Sequence, residues 1–129
     1  MTIEWNFILR IFAAGILGGL IGFEREFRAK EAGVRTHFIV ALGSALFMII
    51  SQYAFSGRFD AARVAAQVVS GIGFIGAGVI IFQKNAVRGV TTAAGLWVAA
   101  AIGLACGAEM YSVAIAATLM TILVLETMH

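Results

Sequence analysis

Four polar residues, Asp60, Arg63, Gln67 and Ser70, recur at intervals of three or four within an apolar stretch. That spacing puts them on one helix face, as a strip able to ligate an ion or to carry a structural hydrogen-bond network. Arg10 stands in another apolar stretch, with Glu4, Asp60 and Glu109 as candidate acidic partners, and Glu109 is equally open to Arg63. A further set comprises Glu24, Arg25, Arg35, Thr36 and His37 together with Arg88, Thr91 and Thr92. It gathers cations and hydroxyls at the ends of helical segments, which suits an anion, a lipid headgroup or plain interfacial anchoring. Catalysis lacks its parts. The histidines are His37 and His129, and the chain has no H-E-x-x-H motif, no intramembrane aspartate pair and no Cys–His arrangement. The expectation is a non-enzyme without a cofactor, and no residue set identifies a metal. Cys106, the single cysteine, lies in an Ala/Gly-rich run and reads as a small buried residue.

The elements that must position these residues follow from composition. The chain has 129 residues, of which 61% are hydrophobic and 12% charged, with no proline and a mean hydropathy of +0.98. Soluble domains average about 45–50% apolar and about 25% charged, so there is too little polar surface here to cover a water-soluble globule. A net charge of +2 gives nucleic-acid binding no support. Between Arg35 and Arg58 the only acidic or basic residue is His37, and the runs Val64 to Gln83 and Gly89 to Ala108, separated by Lys84 and Arg88, contain none. Each is long enough to cross a hydrocarbon core of about 30 Å as a helix. The run Met110 to Leu125 is just sufficient, and Trp5 to Phe23 qualifies with Arg10 inside it.

The expected fold class is an all-α polytopic membrane protein, one transmembrane domain over residues 1–129, with helices at about 5–23, 37–55, 61–83, 91–107 and 110–126. A signal peptide is not expected, because MTIEWNF is acidic and no soluble domain follows. A β-barrel is excluded by the continuous rather than alternating apolar runs. Arg25, Arg28, Lys30, Arg35, Lys84 and Arg88 fall on one side of the threaded helices, against Arg58 and Arg63 on the other. That imbalance puts the N-terminus outside and the C-terminus in the cytoplasm. Asp60 is placed to cap the third helix, and Thr91 or Thr92 the fourth. The stretch EREFRAKE carries Glu24/Arg28 and Glu26/Lys30 at helical spacing, which extends the first helix beyond the bilayer or along its surface. Trp5 and Tyr111 read as interfacial aromatics and Trp97 as packed inside.

Glycines mark where helices approach one another. Gly15/Gly19 and Gly18/Gly22 strip one face of the first helix, and Gly103/Gly107 does the same for the fourth. Gly71, Gly73, Gly76 and Gly78 contain a literal G-x-G-x-x-G, but no strand precedes it and no acid follows about 20 residues on, so a dinucleotide site is excluded. These four imply contact with two neighbours or a loosened helix whose carbonyls face a cavity and an ion.

Four ordered motifs carry a family resemblance: Gly18-Gly19-Leu20-Ile21-Gly22-Phe23-Glu24-Arg25-Glu26, then Ala32-Gly33-Val34-Arg35-Thr36-His37, then Asp60 with the run Arg63 to Gly78, then Arg88-Gly89-Val90-Thr91-Thr92-Ala93-Ala94-Gly95-Leu96-Trp97. Together they resemble the membrane domain of the MgtC/SapB family over nearly the whole chain. The resemblance implies a bacterial inner-membrane protein with five spans, linked to growth at low Mg2+ and to virulence through survival inside host cells. It implies a regulator that binds other membrane proteins, such as the ATP synthase, with Mg2+ transport by an oligomer as the competing role. Expected partners are the lipid bilayer, membrane proteins and a second copy of the chain, a dimer being favoured. Many members carry a cytoplasmic domain after the fifth helix, which this sequence does not contain. Glu109 departs from the glycine-rich, uncharged turn usual at that place.

Overall fold

The computed structural model describes residues 3–54, 60–83 and 85–128. Long apolar runs without proline fold as helices because lipid offers no partner for a free backbone amide. The elements are α1 (Ile3–Phe27), α2 (Val34–Tyr53), α3 (Ala61–Val79), β1 (Ile81–Gln83), β2 (Ala86–Arg88), α4 (Val90–Gly107) and α5 (Tyr111–Thr127). The first four helices are long and apolar enough to cross a membrane, and α5 is a shorter apolar helix. Phe55 to Phe59 and Lys84, where the second helix was expected to end and the basic residues Arg58 and Lys84 to sit in loops, lie outside the described residues.

Two elements differ from expectation. α3 stops at Val79 rather than continuing to residue 83, and an antiparallel hairpin takes over, pairing Ile81 with Arg88, Phe82 with Val87 and Gln83 with Ala86. The run Val79-Ile80-Ile81-Phe82 is β-branched and aromatic, and Asn85 accepts a left-handed turn conformation at φ 62°. Gly89 then turns the chain into α4 at φ 93°, where a Cβ would run into the Val79 carbonyl. The fold is therefore helical with one small hairpin. α1, for its part, ends at Phe27, and Ala29 and Ala32 take positive φ in the turn. The expected pairs along EREFRAKE lose their helix; Glu24 pairs with its neighbour Arg25 and Arg28 with Glu126 on α5.

The core forms around α2. A Cβ on Gly18 would lie 2.5 Å from Ala41 Cβ and 2.7 Å from the His37 carbonyl, and one on Gly22 would lie 2.5 Å from the Gly33 carbonyl. Gly15 and Gly19 face the Phe38 ring. From the other side, Gly103 presses on Ala41 and Ser44, and Gly107 on Ala45 and Met48. Ile21, Ala41, Ala45, Ile102 and Cys106 are sealed between these faces. α5 closes over α1 and α4 with Ala114, Thr118 and Leu125. α3 is held mainly by α4, through Ile72 against Leu96 and Ala100 and Gly76 against Ala93.

Trp97 is 56% exposed, not packed, because the buried face of α4 runs through Leu96, Ala99, Ala100, Gly103 and Cys106 and leaves position 97 on the outside.

Candidate functional site

The polar residues that a membrane helix must justify resolve into three separate places. The first is the end of the bundle where α1 begins. Arg10 is 3% exposed, and its guanidinium is satisfied on every side. Nη2 donates to Glu109 Oε1 at 2.6 Å and to the Tyr53 hydroxyl at 3.3 Å, Nη1 to the Gly107 carbonyl at 2.8 Å, and Nε to Asn6 Oδ1 at 2.7 Å. The rings of Phe7 and Tyr53 flank it at 5.4 and 5.2 Å. Glu109 reaches this position from the α4–α5 turn, where it adopts φ 64° and Met110 N–H closes the turn on the Ala105 carbonyl. One side chain thus ties α1, α2 and the α4–α5 turn. Asn6 stands one turn before Arg10, a spacing visible in the sequence, whereas Tyr53 and the Gly107 carbonyl arrive only with the tertiary fold.

The second place is the opposite end, rich in cations. Glu24, Arg25, His37 and Thr92 are all buried there. Arg25 Nε and Nη2 donate to Glu24 at 2.7 and 3.3 Å, and Nη1 makes a loose contact of 3.5 Å with Thr92 Oγ1. Thr92 does not cap α4. The cap position is Gly89, which has no side chain to offer, and the Thr92 hydroxyl turns to Glu31 at 3.4 Å. His37 Nδ1 lies 2.9 Å from the Gly33 carbonyl, while the buried Nε2 faces Gly95 with no hydrogen-bond partner. Arg35 is exposed and Thr36 half-buried, apart from this cluster. Arg88 and Thr91 line a cavity of about 630 Å³ with Arg25, Lys30, Glu31 and Thr92. Beside it Arg28 is bidentate on Glu126 at 2.9 and 2.7 Å, and that hydrogen-bonded carboxylate holds the guanidinium above its ordinary pKa. Glu31 and Glu126 were not among the residues singled out by sequence, and Lys30 entered only as a basic loop residue, since only the α1–α2 turn and the end of α5 bring them here.

The third place is α3. Asp60 caps it, accepting from Ala62 N–H at 3.0 Å, and Arg63, Gln67 and Ser70 stay exposed. The strip is therefore separate from the Arg10–Glu109 pair. Arg63 and Gln67 edge a groove of about 640 Å³ between α2 and α3, floored by Val40, Gly43, Gly71 and Ile72. The glycines of α3 divide: Gly76 meets α4, but Gly71, Gly73 and Gly78, expected to seat neighbours, meet nothing within 4 Å in this chain. Phe74 beside them is 86% exposed. Among the described residues no group of three or more His, Cys, Asp or Glu is placed to hold a metal.

The comparisons with known proteins agree with this sequence pattern. A protein of Escherichia coli (strain K12) named "Putative magnesium transporter YhiD" is 49% identical over 136 residues, covering 100% of this chain and 62% of its own length. Protein MgtC of Brucella abortus (strain 2308) is 53% identical over 111 residues, covering 86% of this chain and 46% of its own. Protein MgtC of Salmonella typhimurium (strain LT2) is 48% identical over 113 residues, with 88% and 48% covered. The chain thus spans between about half and three-fifths of the length of these relatives. No solved structure matches it. The MgtC family itself matches residues 11–129, a stretch that runs from within α1 through the other four described helices, and the chain belongs to that family.

Proposed function

We propose that this chain acts in the bacterial inner membrane as a regulator that works through protein contacts, in a physiology tied to Mg2+. The observation that carries this reading is the uncovered face of α3, where Arg63, Gln67, Gly71 and Gly78 are exposed together on a membrane-length helix. An arginine and a glutamine facing lipid are costly, and bare glycines offer close approach to another backbone. A second copy fits this face. Asp60 and Arg63 lie less than one helical turn apart, so two parallel α3 helices about a two-fold axis place each carboxylate beside the other copy's guanidinium. On this reading the cation-rich end faces the cytoplasm, with the N-terminus outside.

The competing reading, Mg2+ binding or transport by an oligomer, is favoured by the printed name of the Escherichia coli relative. Within one chain the space between α1, α2 and α4 is filled by Ile21, Ala41, Leu96, Ala99 and Ile102. Both intrabundle arginines are matched by carboxylates, Arg10 by Glu109 and Arg25 by Glu24. A cation path therefore has to lie outside this packed centre, along α3 or between copies.

Both readings are tested on one preparation in proteoliposomes, in a background where the buried Cys106 is replaced by Ala. Gln67→Cys is expected to cross-link copies and Leu119→Cys on the outer face of α5 is not. Adding Asp60→Asn, which keeps the helix cap but removes the charge, is expected to weaken the Gln67 cross-link. Saturable Mg2+ entry abolished by Asp60→Asn would replace regulation with transport as the function.

A further inference from the structure

The cavity at the cation-rich end carries chemistry that the α3 face does not use. It opens between the α1–α2 turn, β2, the first turn of α4 and the end of α5. Its three cations are unequally engaged. Arg25, at the back, is neutralised by Glu24, whereas Lys30 and Arg88 are exposed and take part in none of the pairs Arg10–Glu109, Glu24–Arg25 and Arg28–Glu126. Among the described residues Glu31 is the single carboxylate on the lining, and it accepts from the Thr92 hydroxyl. An ammonium, a guanidinium fork and the exposed Thr91 hydroxyl therefore converge with a surplus of positive charge. A tetrahedral oxyanion with several acceptor oxygens satisfies such a donor set better than one planar carboxylate does.

The other wall of the same cavity is apolar, made by Val87, Val124, Leu125 and Met128. A free inorganic anion has no use for that wall. A molecule with an anionic head and a hydrocarbon tail uses both halves, at the depth where α1 and α5 end and unpaired cations draw acidic lipids.

We propose that this cavity binds a phosphate group between Lys30 and Arg88, and that the phosphate belongs to an anionic phospholipid of the adjoining leaflet whose acyl chain lies along Val87 and Leu125. The site is independent of the α3 face, so either proposal survives failure of the other.

Native mass spectrometry of the full chain in a zwitterionic detergent tests it, with phosphatidylglycerol and phosphatidylcholine of identical acyl chains as probes. Wild type is expected to hold phosphatidylglycerol roughly tenfold more tightly or better. Lys30→Gln with Arg88→Gln is expected to abolish the preference. Both side chains are exposed and outside the ion pairs named above, so an unchanged thermal unfolding curve verifies that the fold is kept. Arg35→Gln removes one charge at the same end outside the cavity, and is expected to leave the preference intact. Equal retention of the two lipids, or equal loss in Arg35→Gln, overturns the site. Inorganic phosphate forms the second arm. If it alone raises the thermal stability of wild type as much as phosphatidylglycerol does, and not that of the double variant, the lipid assignment is overturned in favour of a soluble phosphate compound. Stabilisation by the lipid alone supports the lipid.

Discussion

Arg10 shows what a buried charge needs in order to stay. A guanidinium taken out of water is tolerated when its donors are filled and a counter-charge is near, and removing one partner is far costlier than the pair is worth in net terms. Arg10→Ala leaves Glu109, the Tyr53 hydroxyl and the Gly107 carbonyl without their shared donor. It is expected to destabilise the protein by about 3 kcal/mol in denaturant unfolding in detergent. Glu109→Gln, at a half-exposed side chain that still offers an oxygen, is expected to cost about 1 kcal/mol. Equal costs would mean that the charge, not the hydrogen-bonded junction, holds the three elements. The choice of Glu109 was legible in the sequence to within three acids, because few carboxylates fall at that end. The cap role of Asp60 was legible as well, from its place just before the third apolar run; it was not legible that Arg25 would turn to the adjacent Glu24. That choice depends on side-chain directions that spacing alone does not fix.

At the scale of elements, glycine patterning foretells a smooth helix face without saying whether this chain covers it. The same signal in α1 and α3 has opposite outcomes. Gly18 and Gly22 touch the backbone and side chains of α2 and its leading turn, while Gly71 and Gly73 face open space. Leu at both 18 and 22 is expected to separate α1 from α2 and abolish cooperative unfolding. Ala at 71 and 78 is expected to leave the chain at least as stable, gaining about 0.5–1 kcal/mol per site from helix propensity, while cross-linking through Gln67→Cys falls. Far-ultraviolet circular dichroism melts of the two double variants separate these outcomes. The helices themselves were readable because each uncharged run approaches bilayer length. The hairpin was missed because Ile80-Ile81-Phe82 is as apolar as a helix end, and hydropathy does not register that β-branched residues favour a strand and that Asn85 accepts the left-handed turn after it.

For the whole molecule, cation asymmetry makes a topological prediction. With Cys106 replaced by Ala, Arg35→Cys is expected to react with a membrane-impermeant maleimide only after spheroplasts are opened. Met110→Cys, exposed at the other end, is expected to react in intact spheroplasts, and the reverse pattern would invert the orientation. The architecture also separates two orders that a linear sequence presents as one. α3 leans chiefly on α4, which is synthesised after it. A growing chain that releases its helices in turn leaves α3 in lipid before its seat exists, with Arg63 near its first turn reaching for the headgroups. The glycine contacts of the pair α1–α2 lie entirely within residues 15–41 and need nothing made later, although Arg10 waits for Gly107 and Glu109. Biogenesis therefore runs out of step with packing: the first two spans join at once, the fourth seals them, and the third is hung last, as an outer wall.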